Sequence, residues 1–293
     1  MAKLNHVGAV DYGKLIVPAN YRGRSEGFRR LDLIDHTTSD ASVHMSLGVV
    51  EIAPGGWHQP VLNAFEKGFY ILSGQVVLNF HGRAHLLSEG HYGVIHKGIK
   101  YTFYNPGSEP VRMLDMNAPQ PKPLDHDFKD IIFYPGEVVK KAEPPNLSDP
   151  TVKFLGHYPN AEIHDTATAI SAVGVRSNSI KGVVVREFID RLLNAQHLAL
   201  FMVQFSPGGI GTSHDHPLEE SYFFLSGRAR VVLDGEEFIV SAGMYVWNGV
   251  GSFHSFECLG DEPVRWIETQ APLPADFETF RFRRQWDPLA QGK

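Results

Sequence analysis

Short hydrophobic runs separated by turn residues recur along most of the chain. Runs rich in Val, Ile, Phe and Tyr are interrupted roughly every 8–12 residues by Gly, Pro, Asn or Asp, which is typical of antiparallel strands. Examples are GFYILSG and QVVLNFHG in residues 68–82, and SYFFLSG and RARVVLDG in residues 221–235. Asp234-Gly235 is a strong hairpin signal, and His81-Gly82 occupies the equivalent place. The pattern predicts an all-β protein whose strands close into double-sheet jelly rolls, because closure limits exposed edges.

The same pattern occurs twice in the chain. Residues 47–119 superpose on residues 200–272 without a gap, and the matches include Pro-Gly-Gly, Leu-Ser-Gly and GSEPVR against GDEPVR. So many matches in one register indicate a tandem duplication in which each copy forms one barrel. We therefore predict an N-terminal barrel within residues 1–125, and a connection plus a C-terminal barrel within residues 126–293.

Three segments lie outside the repeat. Residues 120–196 are too long for a structureless loop, so we expect part of them to supply outer strands to both barrels. Residues 1–46 are expected to cap the first barrel or to exchange with a neighbouring subunit. The tail FETFRFRRQWDPLAQGK alternates aromatic and basic residues, which predicts a terminal strand or helix packed on a barrel.

Composition and charge narrow the classes of protein. The 293 residues are 43% hydrophobic and 20% charged, which fits a globular protein with two domains of ordinary size. A net charge of −6 without a block of like charge argues against nucleic acid as a partner. The single cysteine, Cys258, excludes an intrachain disulfide and fits a reducing compartment.

The sequence predicts neither a signal peptide nor a membrane span. It has no signal-peptide apolar core at its start and no run approaching the roughly 18 apolar residues that a membrane span needs. We expect a cytoplasmic homo-oligomer that binds a small-molecule substrate and neither nucleic acid nor membrane.

Candidate metal ligands cluster in the second copy. His214 and His216 share one face of a strand because residues i and i+2 point the same way. Glu220 begins the next strand after a Pro217-Leu218 corner, and His254 can arrive on a neighbouring strand. Three imidazoles and one carboxylate suit one divalent first-row metal, with Fe or Mn favoured and Ni, Cu or Zn as alternatives.

The first copy has lost this set of residues. The equivalent positions hold Val61, Asn63, Lys67 and Tyr101, which cannot form such a site. The contrast predicts one metal per chain, in the second barrel. Two interpretations of the first barrel stay open: Lys67 and Tyr101 line an anion-binding pocket, or the barrel is only a structural partner.

Two further residues are candidates for catalysis. Tyr222 has the same strand parity as Glu220, so it is predicted to donate a hydrogen bond to a substrate oxygen. Gln204 is the second candidate, taken from a set of polar residues in strand-like segments that could orient ligands or substrate. The other members of that set are Arg265, Glu268 and Gln270. Glu219 should point away from the site, and its match with Glu66 predicts a shared structural role.

The second copy resembles the cupin superfamily. Its first motif runs from Gly208 through His214-x-His216 and Glu220 to Gly227, and its second motif runs from Gly243 to His254. With both copies, the resemblance covers roughly residues 40–275 and implies a bicupin. It also implies the three-His, one-Glu metal set and, for most members, an enzymatic role.

The layout is also similar to the (S)-ureidoglycine aminohydrolase family, whose bicupins have a metal-free first barrel and a Mn-binding second barrel. FEKGFYILSG and LLSEGHYG in the first copy carry this likeness. That family's metal set is Glu, His, His, Gln in chain order, and three of these four positions differ here.

The metal set therefore leads the functional interpretation. It favours a non-haem Fe/Mn dioxygenase-type oxidoreductase acting on a small chelating enol, diol or oxo-acid. One alternative is an (S)-ureidoglycine aminohydrolase-like, Mn-dependent hydrolase of a small ureido acid. Another is a metal-binding or ligand-binding cupin without turnover.

Overall fold

The chain forms β-strands along most of its length. The structure, a computed structural model, describes residues 3–123, 129–164 and 180–273 and the backbone of residues 281–282. The strands in the first half are β1 Asn5–Ala9, β2 Ser25–Ile34, β3 Ser46–His58, β4 Val61–Asn63, β5 Glu66–Ser73, β6 Gln75–Phe80, β7 Arg83–Ser88, β8 His91–Ile95, β9 Tyr101–Tyr104, β10 Val111–Ala118, β11 Ile131–Phe133 and β12 Leu155–His157. Those in the second half are β13 Ile180–Ile189, β14 Ala199–Asp215, β15 Glu219–Ser226, β16 Arg228–Leu233, β17 Glu236–Ser241, β18 Met244–Asn248, β19 His254–Leu259, β20 Val264–Ala271 and β21 Arg281–Phe282. Short 3-10 turns occupy Tyr12–Lys14, Ala19–Tyr21, Pro150–Val152 and Arg191–Leu193.

The strands form two barrel-like sheets, which confirms the predicted all-β class. Over the described residues, the first sheet has 11 strands in the order β11-β4-β9-β3-β10-β5-β8-β12, with β2 on β3 and the β6–β7 hairpin on β9. The second sheet has 10 strands in the order β1-β18-β15-β20-β14-β19-β16-β17, with β13 and β21 also on β14. Strand pairing in both sheets is antiparallel.

Both predicted hairpin turns are present. His81 and Gly82 have φ values of 52° and 73°, and Asp234 and Gly235 have values of 50° and 91°. Positive φ at both central residues is what a type I′ turn requires, and this turn has the twist that adjoining strands need. These two turns connect β6 to β7 and β16 to β17.

Each barrel receives a strand from a segment that precedes the other barrel. β1, at the start of the chain, pairs with β18 in the second sheet, and β12, from the connection, pairs with β8 in the first. The expectation that residues 1–46 cap the first barrel is therefore wrong for β1, although β2 does join the first sheet. Hydrophobic patterning shows that a strand needs a partner and does not show which open edge it covers.

The connection supplies outer strands to both barrels, as predicted. β11 and β12 join the first sheet, and β13 joins the second. The division at residue 125 stays a prediction. β1, which precedes it, joins the second sheet, while β11 and β12, which follow it, join the first sheet. In the tail, β21 pairs with β14, so these two residues form the predicted terminal strand. The rest of the tail lies outside the described residues.

Two hydrophobic cores stabilise the molecule. One fills the second barrel and includes Val203, Phe205 and Trp266. The other fills the first barrel and continues into the contact between barrels through residues such as Leu200 and Met202. Side chains on opposite faces of β14 therefore pack into different cores, because successive side chains in a strand point to opposite sides. Within the described residues, no helix is long and apolar enough to span a membrane.

Glu66 and Glu219 are structural residues that join the barrels, as their match in the repeat predicted. Both side chains are buried. Glu219 on β15 accepts hydrogen bonds from the backbone N–H groups of Val43 (2.8 Å) and His44 (2.9 Å), just before β3. Glu66 on β5 accepts hydrogen bonds from the backbone N–H groups of residues 196–198, just before β14; the distance from His197 N is 2.8 Å. Each barrel thus fixes the segment leading into the other.

Candidate metal centre

The four predicted ligands meet inside the second barrel. His214 lies near the end of β14, His216 follows that strand, Glu220 lies on β15 and His254 begins β19. β14 and β19 are neighbours, and His214 is the register partner of His254. All four side chains are buried, with no more than 7% of any of them exposed.

The ligand-type atoms of the four residues lie close together. One nitrogen from each of His214, His216 and His254 lies within 4.8 Å of the other two. Glu220 Oε2 lies 2.8 Å from His216 Nε2 and 3.3 Å from His254 Nε2. Among the residues that the structure describes, these histidines form the one cluster of metal-ligand type.

The backbone fixes the orientation of every imidazole. Each histidine Nδ1 donates a hydrogen bond to a carbonyl two residues away, and since a carbonyl only accepts, Nδ1 must carry the proton. The pairs are His214–Thr212 (2.8 Å), His216–Leu218 (3.0 Å) and His254–Ser252 (3.0 Å). In the neutral imidazoles, Nε2 therefore keeps its lone pair for a metal.

Two neighbours hold the carboxylate of Glu220. The hydroxyl of Tyr222 donates to Oε2, and Gln270 Nε2 donates to Oε1 at 2.7 Å. Asn248 Nδ2 in turn donates to the Tyr222 hydroxyl at 3.3 Å. Tyr222, a predicted catalytic residue, therefore lies in the site, where its hydroxyl orients a candidate ligand.

Burial and charge shift the pKa values in the centre. Burial, together with His254, lowers the pKa of His214 to about 3. Burial would also lower the pKa of His216, but the Glu220 carboxylate outweighs it and raises that pKa. Burial alone would raise the pKa of Glu220, yet His216 and His254 hold it well below its usual value. The buried Tyr222 hydroxyl has a pKa well above its usual value.

Glu268 is a second carboxyl group beside the centre. It accepts from Trp266 Nε1 at 3.1 Å and from Gln270 Nε2 at 2.9 Å. Burial, and next the Glu220 carboxylate, raise its pKa to about 8. Gln270 therefore links two carboxyl groups whose pKa values are shifted in opposite directions, downwards for Glu220 and upwards for Glu268.

Gln204 does not belong to this group, and its predicted catalytic role is corrected by its contacts. Its Oε1 accepts from Ile163 N at 2.9 Å, and its Nε2 donates to Ile163 O at 3.2 Å. The neighbours Val203 and Phe205 point into the second core, so Gln204 points out of it. Its amide fixes the connecting segment to the barrel wall.

Asn248 is the functional neighbour that sequence reasoning missed. It is the register partner of Glu220 across β15 and β18, and it is fully buried. A polar residue ending an otherwise hydrophobic strand within the second cupin motif was the available signal. Arg265, another member of the polar set, donates instead to Asn160 at 3.2 Å.

The donor set fits a divalent metal. Three imidazole nitrogens and a carboxylate oxygen converge in a buried space, and their lone pairs repel one another unless a cation or a proton lies between them. Mixed nitrogen and oxygen ligands of this kind suit first-row divalent metals.

Comparison with known families agrees with the fold. The cupin domain family matches residues 48–117 and 201–269, one stretch in each sheet. The chain therefore carries two cupin domains in tandem and is a bicupin. No curated protein matches the sequence.

Solved structures with the same two-barrel architecture are similar to the chain. Oxalate decarboxylase from Lactobacillus farciminis, in a formate complex, is 16% identical with a TM-score of 0.61, over 99% of this chain and 90% of that one. A protein from Pseudomonas aeruginosa described as glyoxylate-induced is 16% identical with a TM-score of 0.59, over 87% and 83%. Oxalate decarboxylase from Bacillus subtilis, in a structure determined at pH 4.6, is 16% identical with a TM-score of 0.57, over 88% and 74%. At these identities the likeness establishes the fold alone.

Proposed function

We propose that the chain is a metal-dependent bicupin enzyme with its active site in the second barrel. His214, His216, Glu220 and His254 would hold one divalent metal, and the reaction would be a dioxygenase-type oxidation of a small chelating acid, enol or diol. The observation that carries this proposal is the convergence of three backbone-oriented imidazoles on one buried carboxylate.

The ligand set favours Fe or Mn. When bound, such a metal supplies Lewis acidity and redox chemistry at open coordination positions. Tyr222 and Gln270 would hold Glu220 in one orientation through their hydrogen bonds. Such outer contacts typically contribute about 10–100-fold to metal affinity or activity.

The walls of the centre favour a small substrate. The rings of Tyr222 and Phe256 lie 5.0 Å apart, and Phe256 stacks on Trp266 at 5.1 Å. These rings form an aromatic wall beside His254, whose imidazole lies 5.9 Å from Phe256. The names of the similar structures refer to oxalate, formate and glyoxylate, and these small carboxylic acids support a substrate of that class.

A Mn-dependent ureide hydrolase is the second candidate. The observation in its favour is that, in the described residues, the metal-type cluster occurs in the second barrel and not in the first, as in the aminohydrolase layout. A small ureido acid also has the carboxylate that a chelating substrate needs.

Metal analysis of the His216→Ala variant tests the ligand set. We expect about one metal per chain in the unaltered protein and nearly none in the variant after treatment with a chelator, because alanine removes one of the four ligand atoms and so weakens the site. His157→Ala, which alters an exposed histidine on β12, is the matched control and should keep its metal. Full metal content in His216→Ala would refute the assignment.

Turnover assays separate the reaction classes. Oxygen consumption with a panel of oxo-acids and catechols would support the oxidative reaction, and ammonia release from ureidoglycine would support the hydrolase. Loaded protein that never consumes oxygen above background would overturn the leading proposal. Metal binding without either activity would indicate a binding protein.

A further inference from the structure

A large cavity occupies the first barrel, which has no metal-type cluster among its described residues. Its volume is about 790 Å³, and it is lined by both aromatic and charged side chains. Tyr21, Phe28 and Phe103 contribute rings to its wall, while Lys67 and Asp115 contribute charges. It is therefore separate from the candidate metal centre.

The polar residues of this cavity stand where the metal centre stands in the other barrel. In the register of the repeat, Asn63, Lys67 and Tyr101 replace His216, Glu220 and His254. The likeness extends to the neighbouring strand, since Asn117 is the partner of Lys67 just as Gln270 is the partner of Glu220. Burying polar groups costs free energy, and a barrel with only a structural role could fill these positions with apolar side chains.

Lys67 places a buried cation at the position of the Glu220 carboxylate. Only 7% of Lys67 is exposed. Its ammonium group donates to Asp115 Oδ1 and, at 2.9 Å, to Asn117 Oδ1. An ammonium group has three N–H donors, so these two contacts leave one for a ligand.

The cavity carries a positive charge in an acidic protein. Asp115 also accepts from Arg30 Nε at 2.9 Å. Arg30 pairs with the exposed Asp32 as well, so of the two carboxylates that face these cations only Asp115 is buried. Burial would raise the pKa of Asp115, but Lys67 and Arg30 outweigh it and lower that pKa. The whole lining includes five basic and four acidic side chains, whereas the chain carries a net charge of −6. A singly charged anion would balance the lining.

Asn63 supplies an unused acceptor in the same cavity. Its Nδ2 donates to the Tyr101 hydroxyl at 3.1 Å, but its buried Oδ1 has no hydrogen-bond partner. Only 2% of Asn63 is exposed. A buried acceptor without a donor is destabilising, and a ligand that brings an O–H or N–H group would supply the missing donor.

We propose that the first barrel binds a small monocarboxylic acid that also carries a hydrogen-bond donor, such as a hydroxy acid or an amide-bearing acid. The Lys67 ammonium donates to the ligand carboxylate, and Asn63 Oδ1 accepts from the ligand donor. Lys67 stands at the position that Glu220 holds in the other barrel, so the first barrel would bind its anion through a side-chain cation and not through a metal.

Glycolate and acetate are matched probes of this site. Both are monocarboxylates, and only glycolate carries a hydroxyl group. Binding is measured calorimetrically with the full chain, after a chelator has removed metal so that the second barrel offers no cation. We expect glycolate to bind about tenfold more tightly than acetate, because its hydroxyl satisfies Asn63 Oδ1.

Two variants locate the contacts. Lys67→Met should weaken the binding of both acids at least about tenfold. Asn63→Leu should abolish the preference for glycolate and leave acetate binding intact. Lys141→Met, which removes an exposed lysine charge, is the control and should change neither. If Lys67→Met fails to fold, Asn63→Leu alone decides the result.

Equal binding of the two acids to the unaltered protein would overturn the proposal, and so would glycolate binding that survives both substitutions. Neither result bears on the metal set of the second barrel, because the two sites share no residue.

Discussion

His58 is a buried imidazole whose two nitrogens are both engaged by the backbone. Its Nδ1 donates to Gln59 O at 2.8 Å, and its Nε2 accepts from Phe103 N at 3.1 Å. This arrangement requires the neutral ring, because a protonated Nε2 could not accept. Burial lowers the pKa of His58 to about 4.

His58 should therefore make stability depend on pH. Its folded-state pKa lies below the usual value of 6.5, so between these two values the unfolded chain binds a proton that the folded chain does not. The contribution is complete above pH 6.5 and is lost as the pH falls towards 4. Between pH 7 and pH 5 we expect a loss of about 2 kcal/mol from this residue.

Urea unfolding of His58→Gln at the two pH values measures this contribution. The variant should lose about 2 kcal/mol less than the unaltered protein between pH 7 and pH 5. Other buried histidines affect both proteins equally, and His157→Gln, at an exposed position, should behave like the unaltered chain. Parallel pH profiles for His58→Gln and the unaltered protein would contradict the assignment.

At the residue scale, the sequence predicted the ligand-type residues and not all of their surroundings. His214 and His216 could be paired from strand parity alone. Gln204 could not be placed, because β14 is irregular between Gln204 and His214: Gly208 has a φ of 72°, and the register shifts between Gly211 and His214. Its partner, Ile163, lies in the connection. Asn248 reaches the site through pairing between β15 and β18, which the sequence does not specify.

At the scale of elements, the two buried glutamates hold the segments before β3 and β14. Glu219 accepts from two backbone N–H groups and from the Trp247 indole at 3.1 Å. Glu66 accepts from residues 196–198 and contacts His96 Nδ1 at 3.1 Å. Each carboxylate thus accepts several hydrogen bonds. Because both side chains are buried, water cannot replace these donors.

Replacing either glutamate by glutamine should destabilise the fold. An amide group has one oxygen, and its NH₂ group would face backbone N–H donors, so we expect Glu66→Gln and Glu219→Gln each to lower the unfolding free energy by about 2 kcal/mol. Glu137→Gln, at an exposed position, should stay within about 0.5 kcal/mol of the unaltered protein. Chemical denaturation measures all three, and an unchanged midpoint in both buried variants would exclude the role.

The sequence predicted which segments form strands better than it predicted which strands pair with each other. The alternation and the turn residues predicted the strands of the repeat, and the length of residues 120–196 predicted that the connection contributes strands. The destination of β1 was not predictable, since its five residues fit any open antiparallel edge.

At the scale of the whole molecule, the start of the chain supports the metal centre near its end. Gly249 N donates to Leu4 O at 2.7 Å, beside the pairing of β1 with β18. Asn5 Nδ2 donates to Asp234 at 3.1 Å, and Asp234 accepts from Ser252 Oγ at 2.8 Å. Ser252 in turn supplies the carbonyl that orients His254.

Removing residues 1–10 should therefore weaken metal binding in a barrel that starts almost two hundred residues later. Loss of β1 exposes β18, which carries Asn248, and removes the Asn5 contact that supports the segment before His254. We expect metal affinity, measured by competition with a chelator, to fall about tenfold, as for other outer contacts of metal sites. Removal of residues 1–3 keeps β1 paired and should leave the affinity unchanged. Equal affinity in both truncated proteins would show that the second barrel orients its ligands without help from the N-terminal strand.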